Sequence, residues 1–527
     1  MSSLKITIDH HEMPVSEGST ILEAARALRI PIPTLCFAHG ADKFTSCMLC
    51  VVHELNTDRL LPSCSAPVED GMRIATDDQR VEKARRSALE FLLSEHVGDC
   101  EAPCQRACPA HMDIPGMIRN IQAGQLDLAA AVVKHSIALP AVLGRICPAP
   151  CEKACKRRFV DDPVAICMLK RYVADTDLAQ DSPFRPTRPP ASGRTIAVVG
   201  AGPTGLSAAY YLAQAGHAVH VFDRHPRPGG MLRYGVPDEI LPKSILDAEI
   251  ERIVDLGVEF HPQQVLGRDM SPADLSRAYA AVVLAVGALG PDSYHGAEFP
   301  QTDRGLAVDR RTFATGVAGF FAGGNAIAPS RMAIRSLAHG REAAAAVDQY
   351  LSGEPLTGSI RRYNSATGKL VEGDAEQFLQ EAESFGRIAP AGGHDNGYTG
   401  EEARSESRRC MGCDCRKQDM CRLRELADEY RPAALRFPGG QRRRVQKILQ
   451  HEEVIFEPGK CIRCGLCVQI TRRSGEALGL TFWGRGFDVR VDAPFHETLK
   501  RALTKTAAEC EAACPTAALA WKDRSRP

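Results

Sequence analysis

Residues 195–223 read TIAVVGAGPTGLSAAYYLAQAGHAVHVFD, and this stretch decides the fold of the middle of the chain. An apolar strand runs into Gly200-x-Gly202-x-x-Gly205, a helical segment follows, and Asp223 ends the next strand. Glycines at such a turn let the backbone approach a pyrophosphate at a helix N-terminus, and the acid can bind a ribose 2′-hydroxyl. The pattern therefore predicts a Rossmann-like α/β domain that binds a dinucleotide.

Two later segments indicate which dinucleotide is bound. They read PRPGGMLRYGVPDEILPKSIL, directly after the turn, and GFFAGGNAIAPSRMAIRSLAHGREAA from residue 319. Both resemble flavin-binding segments of the glutamate synthase small subunit family, and the resemblance implies FAD. NAD is the weaker alternative, because the second segment is a flavin motif. The implied additional FAD-binding residues are Gly229 and Gly230 beside the phosphates, and Gly323, Gly324 and Asn325 in the closing motif. The family has an acid where this chain has Asn325, and an asparagine can hydrogen-bond but carries no charge.

The same family carries a nicotinamide domain between its two flavin motifs. Here only the short stretch from Gly287 to Gly319 is available, and it contains no second GxGxxG. A βαβ unit needs about 30 residues and a whole doubly wound domain roughly 100 or more. The sequence therefore predicts a flavin domain that lacks the family's NADPH site, with no direct NAD(P)H site in this chain.

The chain has 20 cysteines, which fall in clusters on both sides of a cysteine-free stretch, 168–409. A disulfide framework fits poorly, because the chain is long and shows no secretion signal. Close C-x2-C and C-x3-C spacings favour iron–sulfur clusters or zinc.

The first cluster lies between strand-like segments at 4–9 and 50–54. Its four cysteines, Cys36, Cys47, Cys50 and Cys64, follow C-x10-C-x2-C-x13-C. With LPSCSAPVEDGMRI, this spacing resembles the ferredoxin-like [2Fe–2S] domain of the large iron–sulfur subunit of respiratory complex I and of iron hydrogenases. Four zinc ligands are the alternative, which the long first gap disfavours.

The second cluster lies in HVGDCEAPCQRAC (96–108) and CPAPCEKACKRRFVDDPVAIC (147–167). It resembles the helical domain of the glutamate synthase small subunit and of dihydropyrimidine dehydrogenase, which implies two [4Fe–4S] clusters. One would use Cys100, Cys104 and Cys155, and the other Cys108, Cys147 and Cys151. His96 and Cys167 are the candidate fourth ligands, because the family's earlier cysteine is missing and its glutamine or glutamate falls near Lys170. The alternatives are an exposed histidine and a buried apolar cysteine.

Two further cysteine groups follow the flavin segments. Cys410, Cys413, Cys415 and Cys421 form C-x2-C-x-C-x5-C and predict one metal centre, either [4Fe–4S] or structural zinc. Further on, CIRCGLC (461–467) and CEAACP (510–515) form a partial two-cluster ferredoxin motif. In such motifs the first three cysteines pair with the cysteine before proline, which assigns Cys461, Cys464, Cys467 and Cys514 to one [4Fe–4S] cluster. Cys510 is left as a free thiol. GRGFDVRVDAPF resembles the matching region of the complex I and hydrogenase subunits.

Composition narrows the class of protein. Lys+Arg and Asp+Glu number 65 each, which gives no argument for a nucleic acid or an acidic membrane surface as partner. The sequence contains no run of 18 apolar residues and its first residues do not resemble a signal peptide. A cytoplasmic location is expected.

Together these features predict a multidomain α+β and α/β protein. Its expected parts are a β-grasp [2Fe–2S] ferredoxin domain (1–80), a helical two-cluster domain (81–185), a Rossmann-like FAD domain (190–351), a linker with the C-x2-C-x-C metal motif (352–445) and a ferredoxin-like [4Fe–4S] domain (446–527).

The expected function is electron transfer by a subunit of a larger oxidoreductase. Its expected partners are a formate dehydrogenase, a hydrogenase or an NAD(P)H module, with ferredoxin as another candidate. A stand-alone flavin oxidoreductase and a scaffold with a structural flavin are the alternatives. The sequence assigns no catalytic residue.

Overall fold

The computed structural model describes residues 3–40, 42–289, 299–433, 435–437 and 443–524. These residues form two compact units. Unit 1 combines Met1–Glu101, Arg362–Gln380 and Cys413–Pro527, and unit 2 combines Ala102–Arg361 and Glu381–Gly412. The chain therefore starts in unit 1, leaves it after Glu101 to build most of unit 2, and returns to unit 1 twice.

Unit 1 begins with a five-stranded sheet covered by one helix. Helix α1 (Ile21–Ala27) starts at a capping box between Thr20 and Glu23, and its apolar face joins the core under the sheet. β1 is antiparallel to β2 and parallel to β5, which gives the predicted β-grasp arrangement. The strands, in the order β2-β1-β5-β3-β4, are β1 (Ser3–Ile8), β2 (His11–Ser16), β3 (Val51–Glu54), β4 (Arg59–Pro62) and β5 (Met72–Ala75). Helix α2 (Gln79–Ser94) follows.

Unit 2 opens with short helices around a buried apolar core. Lys134 and Asp177 form an ion pair of 2.5 Å in this core and join α5 to α8. A later helix, α15 (Gly400–Arg408), returns to the same bundle, where Glu406 accepts a hydrogen bond from the Ala165 N–H. The opening helices are α3 (Pro103–Ala107), α4 (Ile114–Gln122), α5 (Leu126–Ser136), α6 (Pro140–Ile146), α7 (Pro150–Ala154) and α8 (Ile166–Leu178). The predicted helical domain is confirmed.

The rest of unit 2 is a parallel sheet with helices, in the order β12-β9-β6-β7-β8. Its strands are β6 (Thr195–Val199), β7 (Ala218–Asp223), β8 (Val258–Pro262), β9 (Ala281–Leu284) and β12 (Phe320–Ala322). Its helices are α9 (Pro203–Gln214), α10 (Met231–Tyr234), α11 (Lys243–Val254), α12 (Pro272–Ala278) and α13 (Ala333–Leu351). This is the Rossmann-like domain that the glycine turn predicts.

The connection from β9 to β12 is short. In its described part the secondary structure is one hairpin, β10 (Gln301–Thr302) with β11 (Gly305–Leu306). Residues 290–298, in the same connection, lie outside the described residues. The described connection therefore holds no second parallel sheet.

Unit 1 resumes at Arg362, within the predicted linker 352–445. Helix α14 (Asp374–Leu379) lies there with a buried Phe378, and α16 (Arg422–Tyr430) packs on α2, where Arg85 donates to the Tyr430 hydroxyl. The unit ends with two antiparallel strand pairs, β13 with β16 and β14 with β15. These last elements are β13 (Val454–Phe456), α17 (Leu466–Arg473), β14 (Thr481–Trp483), β15 (Arg490–Asp492), α18 (Leu499–Ala502), α19 (Ala507–Ala513) and β16 (Leu519–Trp521).

Among the described helices, none is long and apolar enough on its own to cross a bilayer. Helices α5 and α6, which meet at an 80° bend, satisfy the length and composition criteria only as a pair. Both contribute buried side chains to the core of unit 2.

Candidate flavin site and metal centres

The glycine turn between β6 and α9 is packed too tightly for larger residues. A Cβ built on Gly205 would lie 1.7 Å from the Gly200 carbonyl oxygen, and one on Gly200 would lie 2.3 Å from the Ala285 oxygen. Helix α9 therefore begins directly against the ends of two adjacent strands. This close approach exposes the first N–H groups of α9 at the sheet edge, where a pyrophosphate binds in this fold.

The predicted ribose-binding acid also holds the turn together. Asp223 ends β7, and its carboxylate accepts hydrogen bonds from the Ala201 N–H at 2.6 Å and the His225 N–H at 2.8 Å. A carboxylate has further lone pairs for a ligand hydroxyl. The position of Asp223 beside the glycine turn suits the predicted role.

The second pair of predicted glycines lies against the first turn. The Gly229 N–H donates to the Ala201 carbonyl at 2.8 Å. Gly230 has a φ of 50°, and a Cβ there would lie 2.7 Å from the Gly202 Cα. The structure thus brings Gly202, Gly229 and Gly230 together, as expected for residues that share a phosphate site.

The closing motif reaches the same helix through Thr204, a residue that the sequence analysis missed. A Cβ on Gly324 would lie 2.1 Å from the Thr204 Oγ1, and one on Gly340 would lie 2.2 Å from the Thr204 oxygen. Gly323 lies against Thr204 as well. The only signal in the sequence was the position of Thr204 at the start of α9, inside the GxGxxG motif.

Asn325 and His339 organise the loop around this motif. The Asn325 Oδ1 accepts from the Ser330 N–H at 3.1 Å, and the His339 Nδ1 accepts from the Gly324 N–H at 3.2 Å. Burial, together with Arg335 and Arg310, lowers the pKa of His339 to about 4. The ring is therefore neutral near pH 7, which lets Nδ1 act as an acceptor. His339 was also missed from sequence.

The predicted FAD-binding residues give a first testable prediction. Gly205→Ala should weaken FAD binding because its methyl group overlaps the Gly200 carbonyl, a packing cost of about 1–3 kcal/mol. That cost corresponds to roughly 5- to 150-fold in affinity. The measurement is the FAD dissociation constant from flavin fluorescence.

Gly257→Ala is the matched control for this substitution. Gly257 has a φ of 82° but no atom within 4 Å of an added Cβ, so the change affects backbone strain alone. FAD affinity should remain at the wild-type value. Equal affinities in wild type and Gly205→Ala would contradict the assigned site.

The first cysteine group forms two buried pairs in unit 1. The Sγ atoms of Cys36 and Cys47 lie 3.4 Å apart, and a hydrogen bond from Cys47 lowers the pKa of Cys36. In the other pair, a hydrogen bond with Cys50 lowers the pKa of Cys64. The four residues are at most 3% exposed. Two thiolate pairs fit a [2Fe–2S] cluster, in which each iron takes two protein ligands.

A second group converges in unit 2. Cys167 interacts directly with Cys147 and lowers its pKa to about 7, while burial and the charges of Cys108 and Cys167 raise the pKa of Cys151 to about 12. The structure therefore brings Cys108, Cys147, Cys151 and Cys167 together, the set in which Cys167 is the predicted fourth ligand. Four clustered thiolates suit one [4Fe–4S] cluster.

Lys170 lies beside these thiolates and is buried. Its Nζ donates to the Leu143 carbonyl at 3.1 Å and to the Cys167 Sγ at 3.7 Å. Burial disfavours its charge, but the surrounding thiolates still hold the pKa of Lys170 above its ordinary value. The lysine therefore places a positive charge next to the cluster site, where it would favour the reduced, more negative cluster.

Replacing this lysine gives a second prediction. Lys170→Met removes a charge-assisted hydrogen bond to a thiolate, worth about 1.5–3 kcal/mol. The midpoint potential of that cluster should fall by roughly 60–130 mV. An anaerobic redox titration followed by EPR measures this change, with the signal identified by its loss in Cys151→Ala.

Lys153→Met is the control, since Lys153 is exposed on α7 and solvent screens its charge. It should leave the potential within about 15 mV of wild type, well under the 59 mV that a tenfold change in a one-electron equilibrium requires. A Lys170→Met potential equal to or above wild type would contradict the electrostatic role.

A third group lies near the C-terminus, in unit 1. Burial and then the Cys514 thiolate raise the pKa of Cys464. Burial and then the charges of neighbouring thiolates, among them Cys464, Cys461 and Cys514, raise the pKa of Cys467. The structure thus brings together the predicted set Cys461, Cys464, Cys467 and Cys514. Cys510 is fully buried in the apolar core, with its sulfur 3.8 Å from the Cys467 carbonyl.

The remaining ligand candidates are divided between the two units. Cys104, Cys155 and Cys410 belong to unit 2, whereas His96, Cys100, Cys413, Cys415 and Cys421 belong to unit 1. Burial and then the Cys415 thiolate raise the pKa of Cys100. Burial and the charges of Cys415 and Cys100 raise the pKa of Cys421 to about 12. Cys100 is therefore a neighbour of Cys415 and Cys421, which the motif spacing did not predict.

Three family models match separate parts of the chain. They are described as a 2Fe-2S iron-sulfur cluster binding domain at 2–79, dihydropyrimidine dehydrogenase domain II with a 4Fe-4S cluster at 76–182, and an NAD(P)-binding Rossmann-like domain at 198–258. They confirm the predicted [2Fe–2S] domain, [4Fe–4S] helical domain and dinucleotide fold.

Characterised relatives are oxidoreductase subunits. The chain is 39% identical over 267 residues to the NADP(+)-dependent formate dehydrogenase subunit beta of Moorella thermoacetica, covering 44% of this chain and 38% of the relative. It is 33% identical over 252 residues to the NADPH-Fe(3+) oxidoreductase subunit beta of Geobacter sulfurreducens, covering 47% and 36%.

The glutamate synthase (NADPH) small chain of Mycobacterium tuberculosis is 40% identical over 193 residues, covering 36% of this chain and 39% of the relative. The matches therefore span well under half of each relative. They confirm the predicted resemblance to the glutamate synthase small subunit and support FAD as the dinucleotide.

Proposed function

We propose that this chain, a homologue of oxidoreductase subunits, is an FAD- and iron–sulfur-containing electron-transfer subunit of a larger oxidoreductase. FAD, when bound, accepts two electrons and releases them singly, whereas clusters carry one electron each. A chain with both kinds of centre can therefore connect a two-electron reaction to a one-electron path. The predicted residues, the five-part domain division and a cytoplasmic location belong to the same proposal.

One observation carries the proposal: predicted ligands of different metal centres in unit 1 are buried in the same apolar cluster of side chains. Cys36 and Cys47 of the [2Fe–2S] site are buried in it, as are Cys464 of the C-terminal site and Cys421. The charge of Cys36 also acts on the Cys464 thiol. Closely spaced ligands in a dry environment support electron transfer between the centres that they hold.

Two aromatic side chains connect the chain segments that carry these ligands. Phe44, between Cys36 and Cys47 in sequence, stacks on Phe482 with ring centroids 5.3 Å apart. Phe44 also lies near Gly465, next to Cys464. These contacts hold the [2Fe–2S] loop against the C-terminal ferredoxin-like part, which favours a fixed path over a mobile one.

The partner that we propose is the catalytic subunit of a formate dehydrogenase, with a hydrogenase, an NAD(P)H module or ferredoxin as further candidates. The similarity to the Moorella formate dehydrogenase subunit supports the first of these. The short β9–β12 connection supports a partner as electron source or acceptor, because its described part forms only a hairpin in place of a nicotinamide domain.

An anaerobic titration of the purified chain with NADH and NADPH tests the need for a partner. Neither nucleotide should bleach the flavin absorption band, because the proposed chain lacks a nicotinamide site. Dithionite should bleach it fully, which controls for flavin that cannot be reduced. Rapid bleaching by either nucleotide would contradict the proposal and establish a self-sufficient NAD(P)H oxidoreductase.

A further inference from the structure

A set of close contacts in unit 1 joins two parts of the chain that are far apart in sequence. The Cys415 N–H donates to the Cys100 carbonyl at 3.2 Å. One residue further, Glu101 pairs with Arg424 at 2.7 Å, although the two are 323 positions apart. Both connections bring the end of the first segment of unit 1 against the start of its third segment, which carries the C-x5-C pair Cys415 and Cys421.

Three thiols meet at this junction. Cys100, Cys415 and Cys421 are electrostatic neighbours of one another. The Ser365 N–H points at the Cys100 Sγ at 3.4 Å, and the Lys460 Nζ lies 3.9 Å from the Cys415 Sγ. Donors aimed at sulfur are the usual surroundings of metal-bound thiolates.

His96 supplies a fourth donor at the same place. Its Nδ1 is buried and has no hydrogen-bond partner among the described residues. A buried polar atom without a partner costs about 1–3 kcal/mol, so a native structure seldom leaves one unless a further group binds it. The unpaired nitrogen therefore points to a ligand.

Lys460 links His96 to two of the three thiols, Cys100 and Cys415. Its charge acts on both His96 and Cys100, and its side chain packs on Gly98, where an added Cβ would lie 2.9 Å from the lysine Cε. The neighbouring Gly459 carbonyl accepts from the Val97 N–H at 2.8 Å. His96, Cys100 and Cys415 thus lie near one buried lysine.

We propose that His96, Cys100, Cys415 and Cys421 ligate one [4Fe–4S] cluster. This cluster joins two segments of unit 1 that the whole of unit 2 separates in the chain. The proposal replaces two predicted groupings. One is Cys100 with Cys104 and Cys155, which the family resemblance implies, and the other is Cys410 with the three cysteines that follow it, which their spacing suggests. Both of those groupings combine cysteines of two different units.

Iron fits this place better than zinc, although three cysteines and a histidine can hold either metal. Cys421 lies in the apolar cluster that also buries Cys36, Cys47 and Cys464. A redox centre here would stand beside the [2Fe–2S] and the C-terminal [4Fe–4S] sites, where a zinc ion would carry no electrons. The inference relies on the proposed function only for the presence of iron–sulfur clusters.

Non-additive iron loss tests the shared ligation. In the full-length chain, purified anaerobically, Cys100→Ala and Cys415→Ala should each lose about four irons, the content of one cubane. The double variant should also lose about four, because both residues hold the same cluster. Cys510→Ala, which alters a buried cysteine outside this set, is the matched control and should keep its iron.

Three iron results would overturn the proposal. The first is a loss of about eight irons in the double variant, and the second is no loss in either single variant. The third is a wild-type chain that holds an equivalent of zinc in place of the iron of this cluster. Metal content is independent of nicotinamide or partner activity. A failure of the electron-transfer proposal would therefore leave this result interpretable.

The histidine has a spectroscopic test that does not depend on the folding of a cysteine variant. Pulsed EPR of the reduced wild-type chain, labelled with ¹⁵N-histidine, should show a nitrogen strongly coupled to one [4Fe–4S] signal. His96→Cys should keep that cluster and lose the coupling. Persistence of the coupling in His96→Cys, or its absence in the wild type, would overturn histidine ligation.

Discussion

The organisation of unit 1 depends on the contact between residues near 100 and residues near 415. Two contacts connect these residues: the Cys415 N–H donates to the Cys100 carbonyl, and Arg424 forms a buried ion pair with Glu101. They close unit 1 across the segments that build unit 2. Arg424 is fully buried, so removal of its partner would leave an uncompensated charge, a cost of about 3–5 kcal/mol. This junction is therefore one of the contacts that hold unit 1 together across the inserted segments, along with the packing of α16 on α2.

Unit 2 depends on a different constraint, the close approach of backbone segments at the start of α9. Gly205, Gly324 and Gly340 each leave no room for a side chain beside Gly200 or Thr204. The β6 turn, the closing motif and α13 therefore meet at one place. In the helical part of the same unit, the buried Lys170 is compatible with its surroundings because four thiols lie around it.

Much of this organisation could be predicted from sequence. The GxGxxG turn with its flanking strands predicted the parallel sheet, and the cysteine spacings predicted the sets at Cys36–Cys64 and Cys461–Cys514. Cys167 was predicted as a fourth ligand in place of Lys170, since a charged amine cannot ligate, and the structure places Cys167 next to Cys147. The grouping of Cys100 could not be predicted, because spacing along the chain reports only local neighbours.

Residues that act from outside a motif were also missed. Thr204 and His339 contact the closing flavin loop, and Lys460 lies beside Cys415 in unit 1, but none of them stands out by type or spacing. Their roles follow from burial and from which backbone segments the fold brings together. Sequence patterns therefore predicted the candidate donors, whereas the structure was needed to show which of them lie close together.

The central claim is that electrons pass between the flavin and the clusters within this one chain. Flash photoreduction of the FAD-loaded chain by an external one-electron donor tests it most directly, with the flavin and cluster absorption followed in time and the products frozen for EPR. We expect flavin reduced by the flash to be reoxidised at a rate independent of protein concentration while [4Fe–4S] signals appear. Flavin that stays reduced beside oxidised clusters, or that reoxidises only by collision between molecules, would contradict it.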